Sequence, residues 1–229
     1  MIFKFVILSF LIFPCVYGAP NKCNALKVDK CASDIFVFGH SNLTIPQTDE
    51  ELTIHCKSRF QALRCVQNYI KECLSSFSKQ VASLLIKGAA TNAKMQCKQN
   101  RGEFLDRGKC LHKNRDGLNR CMKRLVKQLS IAEKREEKIS LICCLFKEYR
   151  DCSMSVLGQD KTCDNQDVKY FKTLAEGNAA DMFEYVCRSR KINYSKNQSS
   201  CVPVDDEELL KTKRPLSLLP SYINIFSSE

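Results

Sequence analysis

Apolar residues recur every three or four positions over most of residues 48–187, the period of an amphipathic α-helix, and no stretch alternates with the period of a strand. Thr48 followed by Glu51 makes a capping box, in which each side chain satisfies the other residue's orphan backbone N–H. Behind it Leu52, Cys56, Phe60, Leu63, Val66, Ile70, Leu74 and Phe77 line one face of a long helix. Val81, Leu84 and Leu85 extend that face until Gly88, where the pattern predicts a break. Phe104, Leu105 and Leu111 predict a shorter helix ending near Lys113. From Leu118 onward Cys121, Met122, Leu125 and Leu129 share one narrow sector, with Arg120, Lys123, Arg124 and Lys127 opposite. Ile139, Ile142, Cys143, Phe146, Tyr149, Cys152 and Val156 form another helix. Asp164 to Asp167 reads as the cap of a last one, with Val168, Phe171, Leu174, Ala175, Met182, Phe183 and Val186 inward. The expected fold is all-α: one disulfide-stapled bundle of about five or six helices over 48–190.

The flanks read differently. Lys4 precedes an apolar run from Phe5 to Phe13, interrupted by Ser9, and Val16-Tyr17-Gly18 supplies the small-residue exit of a secretory signal. Residues 1–18 are therefore expected to be removed after Gly18, the run being well short of the roughly 20 residues a membrane span needs. Residues 19–47 read as an irregular segment pinned by Cys23 and Cys31. Residues 191–229 read as a glycosylated, largely disordered tail tied back at Cys201, the alternative being a tail packed into a groove of its own domain. Its apolar end, Leu216 to Phe226, is interrupted by Pro220 and is too short for a lipid-anchor signal. Pro215 directly after Lys213-Arg214 argues against convertase cleavage at that pair.

Cysteine parity changes the picture from fold to compartment. Of 15 cysteines, Cys15 leaves with the signal. The remaining fourteen (Cys23, Cys31, Cys56, Cys65, Cys73, Cys97, Cys110, Cys121, Cys143, Cys144, Cys152, Cys163, Cys187 and Cys201) permit seven bridges and no orphan thiol. Three sequons, at Asn42, Asn193 and Asn197, fit passage through the same glycosylating lumen, so the chain is expected to be a secreted glycoprotein. Cysteines two turns apart on one helix cannot bridge each other, so the staples must join different helices. The adjacent pair Cys143-Cys144 must clamp two separate neighbours, while the pairing scheme stays open. No Cys-x2-Cys occurs, and His40, His55 and His112 are scattered, so neither metal ligation nor any other cofactor is expected.

Composition excludes other classes. With 44% hydrophobic residues, 8 Gly and 6 Pro, the chain is not collagen-like, linker-like or wholly disordered, and a β-sandwich or doubly wound sheet would need more turn glycines. Three histidines leave little acid–base chemistry near neutral pH, and no nucleophile elbow, phosphate loop or dinucleotide fingerprint is present. The Cys143-Cys144 doublet is similar to that of secreted phospholipases, where a catalytic His-Asp follows. Here Leu145 to Cys152 contains no His and no Gly-rich calcium loop precedes, so nothing activates water and no enzymatic activity is expected.

Three stretches together carry a resemblance. Asp49-Glu50-Glu51-Leu52 leads to Cys56, Cys65 and Cys73; Phe104-Leu105-Asp106 leads to Cys110 and Cys121; Leu141-Ile142-Cys143-Cys144 leads to Cys152 and Cys163. This order, over about residues 23–187, resembles a family of secreted, cysteine-rich, all-helical domains of unknown function found in nematodes and arthropods. The resemblance implies the fold and the compartment and brings no functional residue with it.

Charge supplies the leading functional expectation. The formal net charge is +11, or +10 without Lys4, and the excess is concentrated in residues 101–130. A cationic stripe formed by Arg120, Lys123, Arg124 and Lys127 would attract anionic glycans, acidic proteins or anionic membrane surfaces. Nucleic acid is not expected, because no aromatic stacking motif accompanies the charges. The second expectation is a carrier of a small apolar ligand, with Phe60, Phe77, Phe104, Phe146, Phe171 and Phe183 lining a cavity. Against it, the chain lacks the Cys-x3-Cys of insect odorant-binding proteins, which it superficially resembles.

Overall fold

The computed structural model describes residues 23–36, 38, 44–74, 76–188, 201, 204–213 and 215–227. The expected signal with Cys15, the three glycosylation asparagines Asn42, Asn193 and Asn197, and His40 lie outside them. The described residues are all-helical, with nine α-helices: α1 (Ala25–Ala32), α2 (Asp49–Cys73), α3 (Ser76–Lys94), α4 (Arg101–Lys113), α5 (Arg115–Ala132), α6 (Lys138–Gln159), α7 (Asn165–Phe183), α8 (Asp206–Lys211) and α9 (Leu219–Ser227). Single π-helical turns, Met95–Gln99 and Glu184–Arg188, prolong α3 and α7, and each carries a bridged cysteine, Cys97 and Cys187. Among the described residues no helix is long and apolar enough to cross a membrane.

The count exceeds the expected five or six for two reasons. First, the long helix expected from Thr48 to Gly88 is a hairpin, α2 and α3. Leu74 is extended (φ −107°, ψ 147°) and Ser76 takes φ 49°, so the chain reverses there. Leu74 and Phe77 both pack on the core, one from each side of the turn, and so preserve a helical spacing across it. Gly88 lies inside α3; a helical glycine costs only about 1 kcal/mol relative to alanine and does not by itself end a helix. Second, both flanks fold. Part of the segment expected to be irregular is α1, whose Val28 and Ala32 are buried. The expectation of a largely disordered tail is corrected for the described residues of 204–227. There α8 and α9 form, and Leu219, Tyr222, Ile223, Ile225 and Phe226 enter the main core.

Local chemistry explains the helix starts. Thr48 Oγ1 accepts from Glu51 N, while the Glu51 carboxylate accepts from Gln47 N rather than from Thr48 N. Asp164 and Asp167 cap α7 reciprocally: the Asp164 carboxylate accepts from Asp167 N at 2.7 Å, and that of Asp167 from Asp164 N at 3.0 Å. Pro220 stands second in α9, where its missing N–H removes no helical hydrogen bond. The approach to α9 is latched by buried Asp29 of α1, whose carboxylate accepts from Leu216 N, Ser217 N and Ser217 Oγ at 2.7–2.8 Å.

The bridges join elements rather than residues of one helix. Cys23–Cys73 and Cys31–Cys65 fasten the N-terminal segment to α2, Cys56–Cys97 ties α2 to the end of α3, and Cys110–Cys163 ties α4 to the start of α7. Cys121–Cys152 staples α5 to α6. The doublet on α6 diverges, Cys143 to Cys187 and Cys144 to Cys201. Each closes a loop of 31–57 residues, of the length for which a bridge contributes about 2–4 kcal/mol. At the α5–α6 crossing a Cβ on Gly117 would lie 2.7 Å from Val156 Cγ1, so the close approach requires glycine there.

Candidate functional site

On α5 the apolar sector is buried as expected, leaving Arg120 and Arg124 exposed and Lys123 and Lys127 half-buried. The chain's own acidic segment covers half of this stripe. Asp205 caps α8, Asp206 pairs with Arg124 at 3.1 Å, Glu208 pairs with Arg135 at 2.8 Å, and Lys127 Nζ donates to Leu209 O at 3.0 Å. Arg120 and Lys123 make no ion pair among the described residues. Other cations of the 101–130 run are matched likewise. Arg101 pairs with Asp49 at 2.6 Å, Arg107 with Asp164 and Asp167, and Lys113 with Asp160 at 3.2 Å. The N–H and hydroxyl of Thr162, with Asn114 and Lys113, hold the Asp160 carboxyl well below the usual range. The carboxylates paired with Arg101, Arg107, Lys113, Arg124 and Arg135 all lie more than 45 residues away in sequence, so a local charge count could not find them.

A different basic surface emerges between α2 and α3. Lys71 of α2 faces Lys79, Lys87 and Lys94 of α3 across an open groove of about 480 Å³ floored by Ile70, Ile86 and Ala90. Along α3, Lys79, Ser83, Lys87 and Thr91 recur at four-residue intervals and Lys94 follows, so cations and hydroxyls alternate over about 22 Å of helix. Among the described residues no carboxylate lines the groove. Lys87 reaches Asp181 at 3.6 Å, with both side chains mostly in water, an arrangement worth at most about 1 kcal/mol. The signal for this stripe was present in the sequence as an i, i+4 Lys-Ser-Lys-Thr pattern, but three of its lysines fall on what read as a single continuous helix.

The six phenylalanines do not converge on one cavity. Phe146 stacks on Phe183 at 4.0 Å, Phe77 packs against Tyr185 and Phe226, and Phe60 lies under Lys98. Phe104 and Phe171 do line an interior void, together with Phe36, Phe38, Tyr149 and Arg59, but its volume is about 30 Å³.

Arg59 is the most unusual group in the interior. It is 1% exposed, its Nη1 donates to Gln96 Oε1, and its Nε–H has no acceptor among the described residues. Burial pulls its pKa down to about 10, so it remains a cation at neutral pH. One helical turn before it, His55 stacks near Phe104, is 9% exposed, and has no partner for Nε2 among the described residues. Burial, then the Arg59 charge, lower the His55 pKa to about 4, against a raising effect of Asp34.

This has a pH consequence. The folded chain keeps His55 neutral, whereas the unfolded chain protonates it below about pH 6.5. Stability is therefore expected to fall as pH drops from about 6.5 towards 4, by about 3 kcal/mol at most. Urea unfolding at pH 7.0 and 4.5 should show a markedly smaller loss for His55→Leu than for the wild type. Equal losses would remove His55 as the cause.

Three potential metal ligands come together among the described residues, Cys110, Cys163 and Asp167. The two sulfurs are bonded to each other and Asp167 receives Arg107 at 3.0 Å, so the trio is a disulfide beside an ion pair. Compared with protein-family models, with curated proteins and with solved structures, the chain finds no match.

Proposed function

We propose that this chain is an extracellular, non-enzymatic binding protein, related in kind to the secreted cysteine-rich helical domains it resembles, and that it engages linear anionic glycans through a basic groove. The observation that carries the reading is the α2–α3 groove, with its four lysines, interleaved hydroxyls and no lining carboxylate. A row of cations about 10–12 Å apart suits an extended polyanion with repeating charges better than one compact anion. Ser83, Thr91 and Gln67 supply hydrogen-bonding groups for sugar hydroxyls. The α5 stripe takes a lesser part, because Arg124 and Lys127 already hold α8. Carriage of an apolar ligand is the weaker reading, since the 30 Å³ void is a tenth of the volume at which small-molecule pockets begin, about 300 Å³.

Heparin-affinity chromatography tests this. The wild type is expected to elute well above physiological ionic strength, about 0.15 M. Changing Lys71, Lys79, Lys87 and Lys94 to Gln should bring elution down to that level, while Arg120→Gln with Lys123→Gln should shift it only slightly. Wild-type elution at or below 0.15 M salt would refute the proposal.

A further inference from the structure

The interior void beside Arg59 has the chemistry of an ion site. We infer that it binds one small monovalent anion of halide size, held by the Arg59 guanidinium. A buried cation with no countercharge is strongly destabilising, and Arg59 has no carboxylate partner among the described residues; its acceptor is the Gln96 amide oxygen. Among the described residues no carboxylate lines the void, and its polar lining residues are Arg59, Gln96 and Tyr149, each of which carries an N–H or O–H donor. Arg59 brings an unsatisfied N–H, Gln96 an amide NH2 and Tyr149 a phenol that burial keeps protonated. The phenol that acts electrostatically on Arg59, that of Tyr170, is pushed up to about 12 and brings no negative charge at neutral pH. A cavity that holds a buried cation with an unsatisfied N–H and no carboxylate in its lining selects an anion over a metal ion, and over water as sole occupant.

Size narrows the class. About 30 Å³ is room for one or two waters, which admits chloride or bromide and excludes phosphate, sulfate and carboxylates larger than formate. The remaining walls are apolar, Phe36, Phe38, Phe104 and Phe171 among them, and offer the low-polarity surroundings in which a single ion pair is strongest. The anion thus completes the core where α2, α4, α5, α6, α7 and the π-helical turn after α3 meet.

The test compares thermal unfolding of the full secreted chain in sodium bromide, sodium chloride and sodium gluconate at equal ionic strength. The wild type should melt several degrees higher in either halide than in gluconate, and Arg59→Met should melt at one temperature in all three. Crystals of the wild type grown in bromide should give an anomalous peak beside the Arg59 guanidinium, a measurement that stands even if the variant does not fold. Identical wild-type midpoints in the three salts, or a bromide-grown crystal with no anomalous peak in the void, would mean that water alone fills it and would overturn the inference.

Discussion

Phe226→Ala is expected to destabilise the protein by about 3–5 kcal/mol, although only three residues follow it in the sequence. The side chain is 2% exposed, meets the Phe77 ring edge-on with centroids 5.7 Å apart, and lies against Tyr222 at 6.0 Å. It belongs to α9, which lodges between α1, α3 and α5 and buries Leu219, Ile223 and Ile225 as well. Truncating the ring opens a cavity at a place where three helices are already fixed by bridges to their neighbours, so collapse into it is limited. Urea unfolding followed by far-UV circular dichroism gives the cost directly. A change below 0.5 kcal/mol would mean that the C-terminal helix does not pack as described.

The second large effect concerns the sulfur pair at the centre of the bundle. Replacing Cys143 and Cys187 together by Ala is expected to cost about 4 kcal/mol, a fall of about 8–16 °C in melting temperature. The bridge closes a loop of 44 residues, and both cysteines are at most 1% exposed. Cys23–Cys73 closes a similar loop of 50 residues but begins at an exposed cysteine. If the chain-entropy contribution is common to both, the extra loss in the Cys143–Cys187 variant measures packing alone. Equal melting temperatures for the two double variants would assign the whole effect to the unfolded chain.

The elements read most easily from sequence were those whose local chemistry and periodicity agree. For α5, the buried sector from Leu118 to Leu129 coincides with its strongest amphipathic face, and for α7 the Asp164–Asp167 cap marks the first turn. What the pattern concealed was tertiary. The turn at Ser76 leaves no gap in the apolar spacing because Leu74 and Phe77 meet the same core from opposite sides of it. α9 was hidden in a segment whose sequons and charge runs read as a tail, and Pro220, which breaks its apolar run, is compatible with a helix because it stands in the first turn. The surface is harder still. The cationic α5 stripe was visible as residues, but its acidic partner, Asp206, lies 82 positions beyond Arg124 and belongs to a segment that carries too few apolar residues to announce a helix. The lysine groove needed the hairpin to exist before Lys71 could stand opposite Lys79.

The divergence of Cys143 and Cys144 has a bearing on proteolysis. One partner lies at the end of α7 and the other at Cys201, so the peptide between them begins and ends on a single helix. A protease that cuts once anywhere from 189 to 200 severs the polypeptide yet liberates nothing, because the downstream piece, with α8 and α9, is still held covalently to α6 through Cys144. The molecule can be nicked there and remain one particle.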